Sequence, residues 1–272
     1  MEPLNVILKD GRNISCCRTG SSGPTVIFES GMTCDKEYWR TLQARLANEF
    51  STFSYDRSGL GKSDIQNHPK DIYSITSDLE ELLSILEVKP PFIFVGHSFG
   101  GTLSKYYSHQ FKTNTNGVVF IDPSDSFFEE RSLAYRTESQ KKYWNSLSTR
   151  PDPEETESEK QEFEAFKHAI KATKSLALRD DITTHILVCD NLTSWFDPEV
   201  DPYYSFDDAP KNILQRDNET WIRCHEDWLK QAPEAKLTIV QDSSHNIHLD
   251  NEEIVYETIR ETVLVGASNK TL

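Results

Sequence analysis

Apolar residues fall along this chain in two alternating patterns. Short continuous runs come first: Thr25-Val26-Ile27-Phe28-Glu29, Phe92–Val95 and Gly117–Asp122, with Phe50–Tyr55 reading as another strand. Unbroken runs of this length suit strands buried on both faces of a parallel sheet. Between them lie segments with helical spacing. Tyr38, Trp39, Leu42 and Leu46 predict a helix within 35–47, and Ile72, Ile75, Leu79, Leu82, Leu83 and Leu86 form a second stripe ended by Pro90-Pro91. Ahead of these, Leu4–Leu8 and Ile14–Arg18 flank Asp10-Gly11 as a predicted hairpin. Strand, helix, strand, helix means a mostly parallel sheet with helices on both faces.

The rhythm breaks at Pro123. Residues 124–181 carry a helical, highly charged pattern without a convincing strand. Within them Pro151–Glu164 holds seven acidic residues and one lysine, which predicts a solvated helix face or loop. Alternation resumes with strand Thr183–Cys189, a long polar and aromatic loop, a helix around Asn218–Leu229, strand Lys236–Val240 and a final helix. Asp250 with Glu253 reads as the capping box of that last helix. One domain over 1–272, interrupted by an inserted helical cap at 124–181, is the simplest organisation.

Composition narrows the partners. At 272 residues, with 36% hydrophobic and 11% aromatic content, the chain can build one sizeable core and still line a pocket. A formal charge of −15 disfavours nucleic acid and anionic membrane surfaces, which select basic patches. No run is long and apolar enough for a membrane span. Met1-Glu2-Pro3-Leu4-Asn5 lacks the basic start and apolar stretch of a signal peptide. Cys16, Cys17, Cys34, Cys189 and Cys224 are odd in number and show no C-x-x-C pair, which suits free thiols in a cytoplasm.

The chemistry concentrates in Val95-Gly96-His97-Ser98-Phe99-Gly100-Gly101, directly after a predicted strand and opening a predicted helix. A serine hydroxyl attacks only when a base takes its proton, and it must project from the sheet edge on a sharp turn. Small neighbours at Gly96 and Gly100 let strand and helix pass close to that turn. The helix N-terminus aims N–H groups where negative charge develops. Ser98 is therefore the candidate nucleophile. The rival signal Gly61-Lys62-Ser63 fails as a phosphate loop, because Asp56 stands where the motif needs its first glycine.

At these residues the sequence resembles the α/β-hydrolase family over nearly its whole length. Gly96–Gly101 is similar to the family's nucleophile elbow. Phe28-Glu29-Ser30-Gly31-Met32 occupies the place of its strand-three loop, with Ser30 where a histidine is usual. Tyr55–Ser63 resembles its D-x-x-G-x-G-x-S segment, and Ser243–Asp250 its late histidine segment. The resemblance implies a mostly parallel, twisted eight-stranded sheet with a helical cap inserted after strand six. It assigns the oxyanion N–H groups to Met32 and Phe99 and the general base to His245.

Three other histidines compete with His245. His248 is expected to pack at the start of the last helix, and no carboxylate or cysteine cluster completes a metal site with it. His97 is expected to be structural, with its side chain directed away from the nucleophile. His225, among Arg223, Glu226 and Asp227, predicts a surface position. For the acid, most members use a turn after strand seven, which suggests Asp197 or, less directly, Asp190; others use the end of strand six, which suggests Asp122. Asp122 is the first candidate, since it needs no loop insertion. The aromatic-rich cap points to a small substrate with an apolar portion. The expected activity is a cofactor-independent serine hydrolase acting on an ester, thioester or amide. A C–C hydrolase or a cofactor-free perhydrolase would carry the same residues, whereas an intact Ser98 and His245 speak against the rival of another class, a non-catalytic ligand-binding receptor or scaffold on the same fold.

Overall fold

A computed structural model describes residues 3–147, 155–192 and 212–268. Eight strands form one sheet: β1 (Leu4–Ile7), β2 (Asn13–Thr19), β3 (Thr25–Glu29), β4 (Ser51–Tyr55), β5 (Phe92–His97), β6 (Thr115–Ile121), β7 (Thr183–Cys189) and β8 (Lys236–Val240). Their spatial order is β1-β2-β4-β3-β5-β6-β7-β8. The β1/β2 and β2/β4 pairs are antiparallel, and every later pair is parallel. β3, β4, β5 and β6 are buried at every position, the hydroxyl-rich β4 (Ser51–Tyr55) included.

Nine α-helices are described: α1 (Arg40–Leu46), α2 (Ile72–Ile85), α3 (Phe99–Gln110), α4 (Phe128–Leu133), α5 (Glu138–Leu147), α6 (Glu157–Thr173), α7 (Ile213–Leu229), α8 (Ile247–Asp250) and α9 (Glu252–Ser268). The stripe in α2 is buried as its spacing predicts, and Asp71 with Ser74 closes a capping box at its start. The expected helix at 35–47 divides instead into a 3₁₀ turn, Lys36–Trp39, capped by Asp35, and α1. α7 begins five residues before the expected Asn218.

α3 and α9 cover opposite faces of the sheet. A Cβ on Gly96 would lie 2.3 Å from the Gly100 carbonyl oxygen of α3, while one on Gly117 would lie 2.6 Å from Thr262 of α9. α4, α5 and α6 all lie between β6 and β7, with no strand among the described residues there. No helix among the described residues is long and apolar enough to cross a membrane.

Register sets up the site. Glu29 pairs with Gly96 and His97 with Ile121, so β3, β5 and β6 end level. The residues that follow them, Ser30–Met32, Ser98 and Asp122, therefore emerge along one carboxyl edge, where open α/β sheets bind ligands.

Two further sequence expectations, for Asp250 and His225, are overturned here. Asp250 is not the cap of the last helix, because it ends α8 and Asn251 stands before α9. Its carboxylate instead accepts from the Ser244 N–H at 2.8 Å and the Ser244 hydroxyl at 2.5 Å, bracing the loop that carries His245. His225 is fully buried rather than on the surface. It lies on the apolar stripe of α7, and its two ring nitrogens meet the Trp221 and Pro123 carbonyls at 2.8 and 2.9 Å.

Candidate active site

Ser98 occupies the turn between β5 and α3 with φ 53° and ψ −118°. A β-carbon residue rarely adopts a positive φ, so the surrounding bonds must hold it there. They do: Ser98 N–H donates to the Ile121 carbonyl at 3.1 Å, and its carbonyl accepts from Gly101 and Ser124 N–H at 2.9 and 3.0 Å. The crossing is tight, since a Cβ on Gly100 would sit 2.1 Å from the Glu29 carbonyl oxygen.

Asp122, one residue past β6, also has a positive φ, 43°, and is fully buried. His245 Nδ1 approaches its Oδ2 at 2.6 Å. A carboxylate only accepts, so Nδ1 carries a proton, and in the neutral ring the lone pair then belongs to Nε2. Asp122 Oδ1 accepts from Cys189 N–H at 3.0 Å and from Trp221 Nε1 at 2.8 Å, while the Cys189 thiol meets Oδ2 at 3.2 Å. Burial, and then the Asp122 charge, pushes that thiol well up, so it stays a donor. Asp190 lies elsewhere: its carboxylate accepts from Asp242 and Ser243 N–H at 3.1 and 3.3 Å and so steadies the loop before His245. Asp197 falls outside the described residues.

His97 is directed beneath the site rather than away from it. Its Nε2 lies 3.0 Å from the His245 carbonyl, and the two ring centroids are 4.4 Å apart. His248 packs beside it, 4.7 Å between centroids, and against Tyr38 and Trp39. Burial, and then His245 and His248, pushes His97 well below its ordinary range; burial, and then His245, takes His248 down to about 3. Both rings are therefore neutral around neutral pH, and His245 has no cationic neighbour among them. Tyr38 hydroxyl bonds the Asn246 amide oxygen from the same side. Among the described residues no three His, Cys, Asp or Glu side chains converge as metal ligands.

The loop after β3 faces Ser98 from the opposite side. Ser30, in place of the family's usual histidine, accepts from Trp39 Nε1 at 2.9 Å and donates to the Asp35 carbonyl at 3.1 Å. Beneath the loop lies buried Arg57. It bonds the Ser30 and Gly31 carbonyls, Glu29 and Glu162, each at 2.7 Å in its shortest contact. Lys70 Nζ reaches Glu162 at 3.0 Å. Burial opposes the charge on Glu162, but Arg57 and Lys70 outweigh it and hold the carboxyl below its usual range. Glu29 meets only one of these cations, and burial pushes it up.

Glu162 belongs to the acidic run that the sequence predicted to be solvated, yet it is completely buried. The missed signal is its spacing: Glu162, Ala165, Ala169 and Thr173 form the buried stripe of α6.

Over these groups lies a cavity of about 600 Å³. Ser98, His245, Met32 and Phe99 line it, together with apolar side chains of the segment between β6 and β7 (Phe128, Phe163, Phe166 and Ile170) and Trp221 of α7. Phe99 meets Phe166 edge-on at 5.5 Å.

Comparison with known proteins agrees with this architecture. The family model described as alpha/beta hydrolase fold matches residues 24–164. The uncharacterized protein YqjL of Bacillus subtilis is 37% identical over 107 residues, 39% of this chain and 42% of its own length. A 2-(acetamidomethylene)succinate hydrolase of Mesorhizobium japonicum is 30% identical over 112 residues, 41% of this chain and 40% of its own. The matched segments thus span about two fifths of these curated relatives. In three dimensions, a carboxylesterase structure from Nitrososphaera gargenis superposes with a TM-score of 0.65 at 13% identity, covering 98% of this chain and 100% of that one. The level strand ends, the strained serine turn and the family match together establish that this chain belongs to the α/β-hydrolase fold family.

Proposed function

We propose that the protein is a cofactor-independent serine hydrolase that cleaves an ester, thioester or amide of a small, partly apolar molecule through an acyl-enzyme. The observation that carries this reading is the 2.6 Å contact between His245 Nδ1 and buried Asp122, on the same sheet edge as the strained Ser98. Ser98 Oγ attacks the substrate carbonyl while His245 Nε2 takes its proton. Asp122 holds the ring in the productive tautomer and stabilises the imidazolium. Met32 and Phe99 N–H groups receive the oxyanion. His245 then protonates the leaving group, and water, activated by the same base, releases the acyl chain. The helical segment 124–181 acts as a cap whose aromatic face takes the apolar portion of the substrate. Hydrolysis by the Mesorhizobium relative, as its name states, supports the reaction class. Five free thiols support a reducing, cytoplasmic setting.

The test is hydrolysis of p-nitrophenyl esters of graded chain length by wild type and Ser98→Ala, with fluorophosphonate labelling alongside. Loss of turnover and of labelling in the variant is expected. Equal turnover by the two proteins would remove Ser98 from the mechanism. An unlabelled, inactive wild type would favour a ligand-binding receptor on this fold.

A further inference from the structure

Arg57 spends all five of its N–H donors inside the protein. Nη1 serves Glu29 and the Ser30 carbonyl, both at 2.7 Å; Nη2 serves the Gly31 carbonyl at 2.7 Å and Glu162 Oε2 at 3.4 Å; Nε serves Glu162 Oε1 at 2.7 Å. One of these contacts reaches further than its length. The Gly31 carbonyl and the Met32 N–H are opposite ends of a single planar trans peptide. Fixing the direction of that carbonyl therefore fixes where the Met32 N–H points. Glu162 comes from α6, and α6 also carries Phe163, Phe166 and Ile170 into the large cavity. The same helix reaches the second oxyanion residue, because Phe166 packs on the Phe99 ring, over which the Arg57 guanidinium lies at 5.2 Å.

We propose that Glu162 is a positioning residue, through which the seating of α6 over the site sets the aim of the Met32 oxyanion donor by way of Arg57. Substrate filling the apolar cavity presses on α6, and the seated helix holds the guanidinium with two acceptors. The guanidinium in turn holds the Ser30 and Gly31 carbonyls. Without the carboxylate, Arg57 keeps Glu29 but loses the acceptor on its opposite edge, and the Gly31–Met32 peptide is free to rotate. This rests on the serine-hydrolase reading for its catalytic consequence, but the structural coupling stands or falls separately.

The experiment uses the full chain as Glu162→Gln, and as Glu162→Gln combined with Lys70→Met, which removes one buried cation with the lost anion. Both are compared with wild type by circular dichroism, ester kinetics, inhibition by an alkyl boronic acid and hydrogen exchange of peptides spanning 29–35. A folded double variant should lose about 10- to 100-fold in kcat with KM within about threefold, short of the ~10²–10³ for a donor removed outright. Boronate affinity should fall by the same factor, because the boronate imitates the tetrahedral oxyanion, and exchange at 29–35 should accelerate. A role in folding alone would lower the folded fraction, and the apparent kcat in proportion to it, but would leave boronate affinity unchanged. If neither variant folds, Glu162→Asp keeps the charge and withdraws it by one methylene, and the same split is expected at smaller size. Unchanged exchange at 29–35, or kcat and boronate affinity within twofold of wild type in a folded variant, would overturn the proposal. A wild type inert to fluorophosphonate and boronate would sink the hydrolase reading instead, while exchange still judges the coupling.

Discussion

The two supports of Ser98 are built from opposite materials. Behind His245 lie neutral groups: His97, His248, Tyr38 and Trp39, stacked ring on ring. Behind the Ser30–Met32 loop lie four formally charged groups, Glu29, Arg57, Lys70 and Glu162, all buried. The difference follows from what each side must do. In the proposed mechanism His245 becomes a cation, and a second cation in contact would resist that change, so its neighbours are packed where burial keeps them neutral. The loop has no such constraint. It must keep two carbonyls in fixed directions, which short, charge-assisted hydrogen bonds do better than packing. Neutral packing tolerates substitution, whereas a buried charge left without its partner does not.

The largest effect should come from the group that joins the neutral side to the catalytic one. Asp122→Asn keeps the shape but cannot hold a protonated Nδ1 in the same tautomer, and kcat should fall by about 10⁴ with little change in the folded state. A loss below tenfold would exclude Asp122 as the acid and leave Asp197 to be tested in the same way.

On the charged side, Arg57→Met strands Glu29 and Glu162 with Lys70 alone. Breaking a buried pair costs about 3–5 kcal/mol, comparable to much of a domain's stability, so urea or thermal melts should show severe loss. His248→Phe, on the neutral side, replaces a ring whose two nitrogens have no hydrogen-bond partner among the described residues with one of similar volume, and should cost under about 1.5 kcal/mol. Reversal of that order in matched melts would break the contrast.

What the sequence disclosed follows the same division. β3, β5 and β6 were legible because a strand buried on both faces carries an unbroken apolar stretch at its centre, and Ser98 because only glycine fits the crossing at Gly96 and Gly100. His245 and Asp122 were reached through the family resemblance, Asp122 as the first of several candidate acids, and the fold brings the two together across 123 residues. The charged support was not legible. Glu162 and His225 each stand among charged neighbours in sequence, and local composition averages over the one face that is buried. Their partners arrive through the fold: Arg57 is 105 residues from Glu162, and the Pro123 carbonyl 102 residues from His225.

Acid should separate the supports further. Burial, and then His245, pushes His248 from its ordinary 6.5 down to about 3 in the folded state, so below pH 6.5 the unfolded chain binds a proton that the native state refuses. Its contribution to stability is complete above pH 6.5 and is lost as pH falls toward about 3, at about 1.4 kcal/mol per pH unit. The measurement is the difference in unfolding free energy between wild type and His248→Phe, from pH 7.5 to 5. It should be constant above the unfolded value and then shift against the wild type, since the variant has no proton to take up. A difference that stays flat across the range would mean that His248 is not held neutral.

The finest test concerns how Asp122 itself is held. Oδ2 faces His245, while Oδ1 accepts from Cys189 N–H and Trp221 Nε1, and Trp221 also walls the substrate cavity. Trp221→Phe removes one donor and leaves the backbone N–H in place. A hydrogen bond to a charged group contributes about 1.5–3 kcal/mol, and the surviving donor covers part of it, so a loss of about tenfold in kcat is expected. Because the aromatic wall remains, KM for long-chain esters should move less than kcat. If KM rises while kcat holds, Trp221 serves the pocket and not the carboxylate, and the neutral side of the site would be less tightly joined to Asp122 than its distances imply.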